Sequence, residues 1–188
     1  MPTSPDTKQP SALLLIDIQN DYFPGGTMAL AEPEAAGRTA AVLLARFRAA
    51  GRPVVHIRHE AAHPGATFFL PGTPGADIHA CVAPLPGETV ILKHWPNSFR
   101  DTGLGEALAA CGVKRLAVAG MMTHMCVDAT VRAAFDLGYA VTVAADACAT
   151  RDLVYAGRAV APADVQAAFL AALGAVYAEV VATAAVAV

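Results

Sequence analysis

The run Ala12-Leu13-Leu14-Leu15-Ile16 ends abruptly at Asp17. Consecutive apolar residues with no polar alternation describe a strand covered on both faces, which requires a sheet with helices on either side. The rest of the chain repeats that demand. Residues 33–50 carry Ala, Leu and Arg at helical spacing and stop at Gly51, a natural terminator. Residues 53–57 read as a second strand and 89–92 as a third, followed by a helix over 104–111 that ends at Gly112. A strand at 115–119, a helix over 123–137 closed by Gly138 and a strand at 139–145 come next. Gly174 divides the end of the chain into a predicted helix over 164–173 and a strand over 176–182. Repeated strand–helix units imply an α/β fold with a parallel sheet and right-handed crossovers. The 188 residues suffice for a single domain over 1–188, with 1–10 expected to be a flexible N-terminal segment. Residues 59–87 break the alternation with His63-Pro64-Gly65, Pro71-Gly72, Pro74-Gly75 and Pro84 to Gly87. So long an excursion reads as a cover over a site or a subunit contact.

Composition narrows the function. Charged residues make up 15% and hydrophobic residues 55%, which excludes a disordered chain. The net charge is −3 and the 13 Lys and Arg are scattered, so no nucleic-acid partner is expected. Residues 167–188 are long and apolar enough to raise the membrane question. Glu179 would then fall mid-span, much of the apolarity comes from Ala, and Gly174 interrupts the stretch, so a buried helix and strand are predicted instead. The run 12–16 is too short for a signal-peptide core, and a cytoplasmic location is expected. The four cysteines, Cys81, Cys111, Cys126 and Cys148, form no CxxC pair, so neither a zinc site nor a structural disulfide is predicted.

In sheets of this kind, function gathers beyond the carboxyl ends of the strands. Asp17 directly follows the first strand, and Lys93 closes Val90-Ile91-Leu92. Cys126 falls just after the fourth strand, in the opening turn of the predicted 123–137 helix, where the helix dipole is expected to depress the thiol pKa. A carboxylate, an ammonium and a thiol at three strand ends match a nucleophile with a base and a charge stabiliser. A serine-type site is not indicated, because the chain has no GxSxG elbow.

Three segments carry a family resemblance. Leu14-Leu15-Ile16-Asp17-Ile18-Gln19-Asn20-Asp21-Tyr22 resembles the opening motif of the isochorismatase-like cysteine hydrolases. Lys93-His94-Trp95-Pro96-Asn97-Ser98-Phe99 resembles their lysine motif, and Gly120-Met121-Met122-Thr123-His124-Met125-Cys126-Val127 their cysteine motif. The likeness runs over roughly residues 12–182. It implies a three-layer αβα Rossmann-like fold with a six-stranded parallel sheet, and catalytic Asp17, Lys93 and Cys126. It further implies hydrolysis of an amide, imide or carbamoyl C–N bond of a small molecule through a thioester. An oxyanion hole made by the backbone N–H groups of Met122 and Cys126, with a cis peptide between Met121 and Met122, is also implied. Relatives commonly associate, so a homo-oligomer is expected, with Phe68, Phe69 and Leu70 of the excursion as the contact or a pocket cover.

Other features suggest less. Some relatives, the nicotinamidases, carry a metal-binding Asp-x-His pattern after the second strand; here Ile57-Arg58-His59-Glu60 lacks that Asp. His59 and His63 stand four apart, but Pro64-Gly65 makes a shared helix face doubtful. Neither a metal nor another cofactor is therefore expected. Phe23, Trp95 and Phe99 are candidate walls of the substrate pocket. Cys111 is expected in the core, Cys148 in a turn, and nothing nearby activates Cys81. Three alternative functions remain: vinyl-ether hydrolysis of the isochorismatase type, which needs no thiol nucleophile, a thiol-based redox sensor built on Cys126, and a non-catalytic oligomerisation module.

Overall fold

The structure, a computed structural model, describes residues 11–188. The segment 1–10, expected to be flexible, lies outside the described residues. In chain order the elements are β1 (Ser11–Ile16), α1 (Pro33–Ala49), β2 (Val54–His59), β3 (Thr89–Lys93) and α2 (Leu104–Ala110). There follow β4 (Arg115–Met121), α3 (Asp128–Asp136), β5 (Ala140–Ala149), β6 (Leu153–Tyr155), β7 (Arg158–Val160), α4 (Pro162–Val176) and β8 (Glu179–Val181).

Six strands form one parallel sheet in the order β3-β2-β1-β4-β5-β8. All residues of β1 and β4 are buried. Their side chains alternate between two cores, as a period of two requires. Leu13 and Leu15 pack with Ala40, Leu43, Leu44 and Phe47 of α1 on one face. Leu14 and Ile16 pack with Leu108 of α2, Val131 of α3 and Leu173 of α4 on the other. That division makes the three layers.

The chain leaves β1 toward β2 and β3, then crosses back to lay β4 on the other side of β1. The carboxyl ends of β1 and β4 therefore flank the switch point where such sheets place their ligands. Gly120 makes the close approach possible. Its φ is 147°, and a Cβ there would lie 2.1 Å from the Ile16 carbonyl oxygen. The β4–β5 register shifts between Val118 and Gly120, as expected where one strand bends.

Several boundaries differ from expectation. The predicted 123–137 helix opens with a π-turn, Thr123–Val127, before α3 begins. The Val127 N–H reaches back to the Met122 carbonyl at 3.2 Å, which also accepts from Met125 at 3.0 Å. At the C-terminus, α4 runs through Gly174 to Val176, so the final strand is Glu179–Val181 rather than 176–182. Gly174 is there because β8 packs against it; a Cβ would lie 3.4 Å from Val180. The β6–β7 hairpin was not anticipated. Cys111 is exposed rather than in the core, and Cys148 lies in β5, paired with Gly120, rather than in a turn. The 59–87 excursion is irregular as expected, with only two short 3-10 turns. No helix among the described residues is long and apolar enough to cross a membrane.

Candidate active site

Asp17 lies one residue past β1 with φ 51°, in the left-handed region that Asp tolerates better than most side chains. Its carboxylate is fully buried. Lys93, the last residue of β3, is also buried, and its ammonium is the hub of the site. Nζ lies 2.7 Å from Asp17 Oδ2, 2.8 Å from His59 Nδ1, 3.0 Å from the Trp95 carbonyl oxygen and 3.2 Å from Cys126 Sγ. An ammonium has three hydrogens, so four acceptors share them. Cys126 comes from the π-turn after β4, and its thiol is buried. Asp17 Oδ1 accepts no hydrogen bond among the described residues.

Electrostatics assign the resting charges. Burial pushes the Asp17 carboxyl up, but the opposing effects, led by the Lys93 ammonium, outweigh it and hold the group below its ordinary value. Burial pulls the Lys93 ammonium down, and Asp17 and Cys126 more than restore it, so it stays charged. Burial pushes the Cys126 thiol up and Asp17 adds to that, while Lys93 offsets only part. The expected depression of this thiol by a helix dipole is thus corrected. A buried sulfur beside a carboxylate, on a widened turn, stays protonated at rest. The resting site is a carboxylate–ammonium ion pair with a neutral thiol.

The three strand-end residues meet as the sequence predicted, and the Met121–Met122 peptide is cis as the resemblance implied. The candidate pocket walls make the following contacts. Phe23 is buried and stacks on His79 with ring centroids 3.6 Å apart. Phe99 stacks on Tyr139 in the opposite layer. The Trp95 ring is exposed beneath the Arg100 guanidinium, and only its carbonyl reaches Lys93. Cys148 is buried in β5 with its thiol pushed up to about 12 by burial.

Three polar residues escaped the sequence reading. His59, weighed only as a metal ligand, sits directly across from Lys93 in the β2–β3 register. Buried Gln19 donates to the carbonyls of His59 and Ala76, both at 2.8 Å, and accepts from the His59 N–H at 2.7 Å. Asp21 accepts from the Phe69 N–H at 2.6 Å and from the Thr27 N–H and hydroxyl. Together they tie the excursion to the end of β1. Asp17, His59 and Cys126 place donor atoms within 4.8 Å of one another, a set that resembles a metal site. Lys93 stands against that reading, because its ammonium already draws on a lone pair from each of the three.

The sheet order and a carboxylate, ammonium and thiol gathered at its switch point are those of a three-layer α/β enzyme with a cysteine at its centre. The family model for the isochorismatase domain matches residues 11–185, and the chain belongs to the isochorismatase family. It is 54% identical over 170 residues to YddQ, an uncharacterized isochorismatase family protein of Bacillus subtilis, covering 90% of this chain and 94% of that one. It is 34% identical over 142 residues to the maleamate amidohydrolase of Pseudomonas putida KT2440, covering 68% of this chain and 67% of the relative. A solved cysteine hydrolase from Pseudomonas syringae pv. phaseolicola superposes with a TM-score of 0.86 at 26% identity, over 93% of this chain and 89% of the other.

Proposed function

We propose that this hydrolase is a cysteine amidohydrolase that cleaves an amide, imide or carbamoyl C–N bond of a small molecule through a thioester on Cys126. The observation that carries the reading is the buried Lys93 ammonium, held between Asp17 at 2.7 Å and Cys126 at 3.2 Å. As Sγ adds to the substrate carbonyl, the thiol proton passes to Asp17, whose Oδ1 is free to take it. Proton transfer in step with attack spares the site a free thiolate. The oxyanion meets the N–H groups of Met122 and Cys126, while Lys93 steadies the charge on sulfur and on Asp17. The C–N bond breaks as Asp17 returns its proton to the leaving nitrogen. Water then adds to the thioester and gives a proton to Asp17; the C–S bond breaks as Asp17 passes that proton to sulfur, and the acid departs with the thiol and the carboxylate restored.

The amide named for the Pseudomonas putida relative supports the choice of a C–N bond. A redox sensor fits poorly, because sensing favours an accessible, low-pKa thiolate and Cys126 is buried with its thiol pushed up. Vinyl-ether hydrolysis has no use for the thiol. The test is an amine- and ammonia-release screen over small amides, imides and ureides, run beside a vinyl-ether panel. Release from a C–N substrate is expected. Turnover confined to the vinyl ethers would overturn the reading.

Self-association is part of the proposal, with different contacts from those first expected. Phe69 is buried and Phe68 packs on the core, which leaves Leu70 exposed in the excursion. Exposed apolar side chains instead collect on β3 (Val90, Leu92) and on the β6–β7 hairpin (Val154, Tyr155). Such surface favours contact between copies. Light scattering is expected to give a multiple of 19.3 kDa; a monomer at every concentration would contradict it.

A further inference from the structure

His59 is bound at both its backbone and its ring. Gln19 grips its N–H and its carbonyl, at 2.7 and 2.8 Å, which sets the end of β2. Register pairing then puts it opposite Lys93. Its Nδ1 lies 2.8 Å from Lys93 Nζ and 3.8 Å from Asp17 Oδ2, so it faces the ion pair itself. The ring packs 5.8 Å from Phe69, whose backbone Asp21 anchors. The His59 side chain is 17% exposed, whereas those of Asp17 and Lys93 are fully enclosed. Among the partners that hold Lys93 by a side chain, His59 is therefore the one that borders solvent.

We propose that His59 is a positioning residue for Lys93: its Nδ1 lone pair holds the ammonium at the junction of Asp17 and Cys126. The inference deepens the cysteine-amidohydrolase reading and rests on it for its kinetic consequences, though not for its structural ones. An ammonium can only donate, so a nitrogen bonded to it must present a lone pair. Nδ1 is then unprotonated and Nε2 carries the hydrogen of the neutral ring. His59 makes the shortest contact to the ammonium after Asp17, with the Trp95 carbonyl at 3.0 Å and the sulfur at 3.2 Å. The same geometry commits Nδ1 to an ammonium rather than to a metal.

Two measurements test this. Nitrogen NMR of the wild-type protein near neutral pH is expected to show His59 unprotonated at Nδ1 and protonated at Nε2; a protonated Nδ1 would overturn the proposal whatever the enzyme's substrate. The second compares His59→Asn, whose amide oxygen can replace Nδ1 as an acceptor, with His59→Phe, which keeps a ring and loses the acceptor. In His59→Phe the midpoint of the pH profile for Cys126 alkylation is expected to rise, and kcat on a C–N substrate to fall roughly 10- to 100-fold with little change in KM, the effect of losing one hydrogen bond to a charged group. His59→Asn is expected to recover most of both. Equal impairment of the two variants, or a wild-type alkylation profile in His59→Phe, would overturn the proposal. The alkylation and NMR results stand even if no C–N substrate is found, so failure here is separable from failure of the proposed reaction.

Discussion

The two oxygens of Asp17 differ: Oδ2 pairs with Lys93, and Oδ1 accepts no hydrogen bond among the described residues, the arrangement the proposed base needs. Asp17→Asn keeps the shape and removes the basicity, and kcat is expected to fall roughly 10²- to 10⁴-fold. Steady-state turnover of a variant with wild-type circular dichroism checks this; near-normal kcat would remove Asp17 from the chemistry. The ion pair also sets a pH window. Asp17 is held below its ordinary value, so its stabilising contribution is present above the usual carboxylate range and is lost as pH falls through the lowered value. Lys93 is held above its ordinary value of 10.5, so its contribution is full below that value and is lost as pH rises through the raised one. Asp17, Lys93 and Cys126 were legible because each follows an apolar run. His59 was not, because recognising it requires the β2–β3 register, which no local pattern encodes. The thiol's direction of shift was misread for a related reason: burial among non-local neighbours outweighs a turn's dipole.

Among the elements, Gly120 joins β4 to β1 where a side chain cannot fit. Gly120→Ala would force a Cβ onto the Ile16 carbonyl at a φ unsuited to alanine, and is expected to cost about 3 kcal/mol or more. Denaturant unfolding measures it; a change below about 0.5 kcal/mol would mean that the strands separate easily. Glu88 ties three elements: both its carboxylate oxygens bond Arg48 of α1 at 2.7 Å, and it meets His56 of β2 at 3.0 Å just before β3 begins. The Arg48 guanidinium, outweighing burial, brings the Glu88 carboxyl down from 4.5 to about 2. Its contribution is thus present above pH 4.5 and is lost as pH falls toward about 2. Glu88→Gln is expected to lower Tm at pH 7 and to flatten the fall in Tm across that acid range. An unchanged Tm–pH curve would argue that solvent screens the cluster. Two element errors have local causes. The π-turn depends on one longer backbone bond to Met122, invisible in a helical hydrophobic period. The β6–β7 hairpin turns at Ala156-Gly157, both with positive φ, 49° and 75°. That is the geometry of a primed turn, usually announced by Asn-Gly or Asp-Gly, so an Ala there hides the signal.

For the whole molecule, the apolar runs specified units and their parallel sense, and the two-faced burial of β1 specified three layers. They did not specify strand order, which depends on where each crossover packs. That order places the switch point between β1 and β4, and so brings residues 17 and 126 together. Two surface depressions lie away from it. One of about 600 Å³ is lined by Arg38, Val42, Arg46 and Asp146, and another of about 600 Å³ by Arg48, Leu85, Glu88 and Cys111. The most direct measurement is turnover by Cys126→Ala of a C–N substrate that the wild-type enzyme hydrolyses. The account predicts an intact fold with release no faster than the uncatalysed background, because no thioester can form. Wild-type turnover by that variant would contradict it.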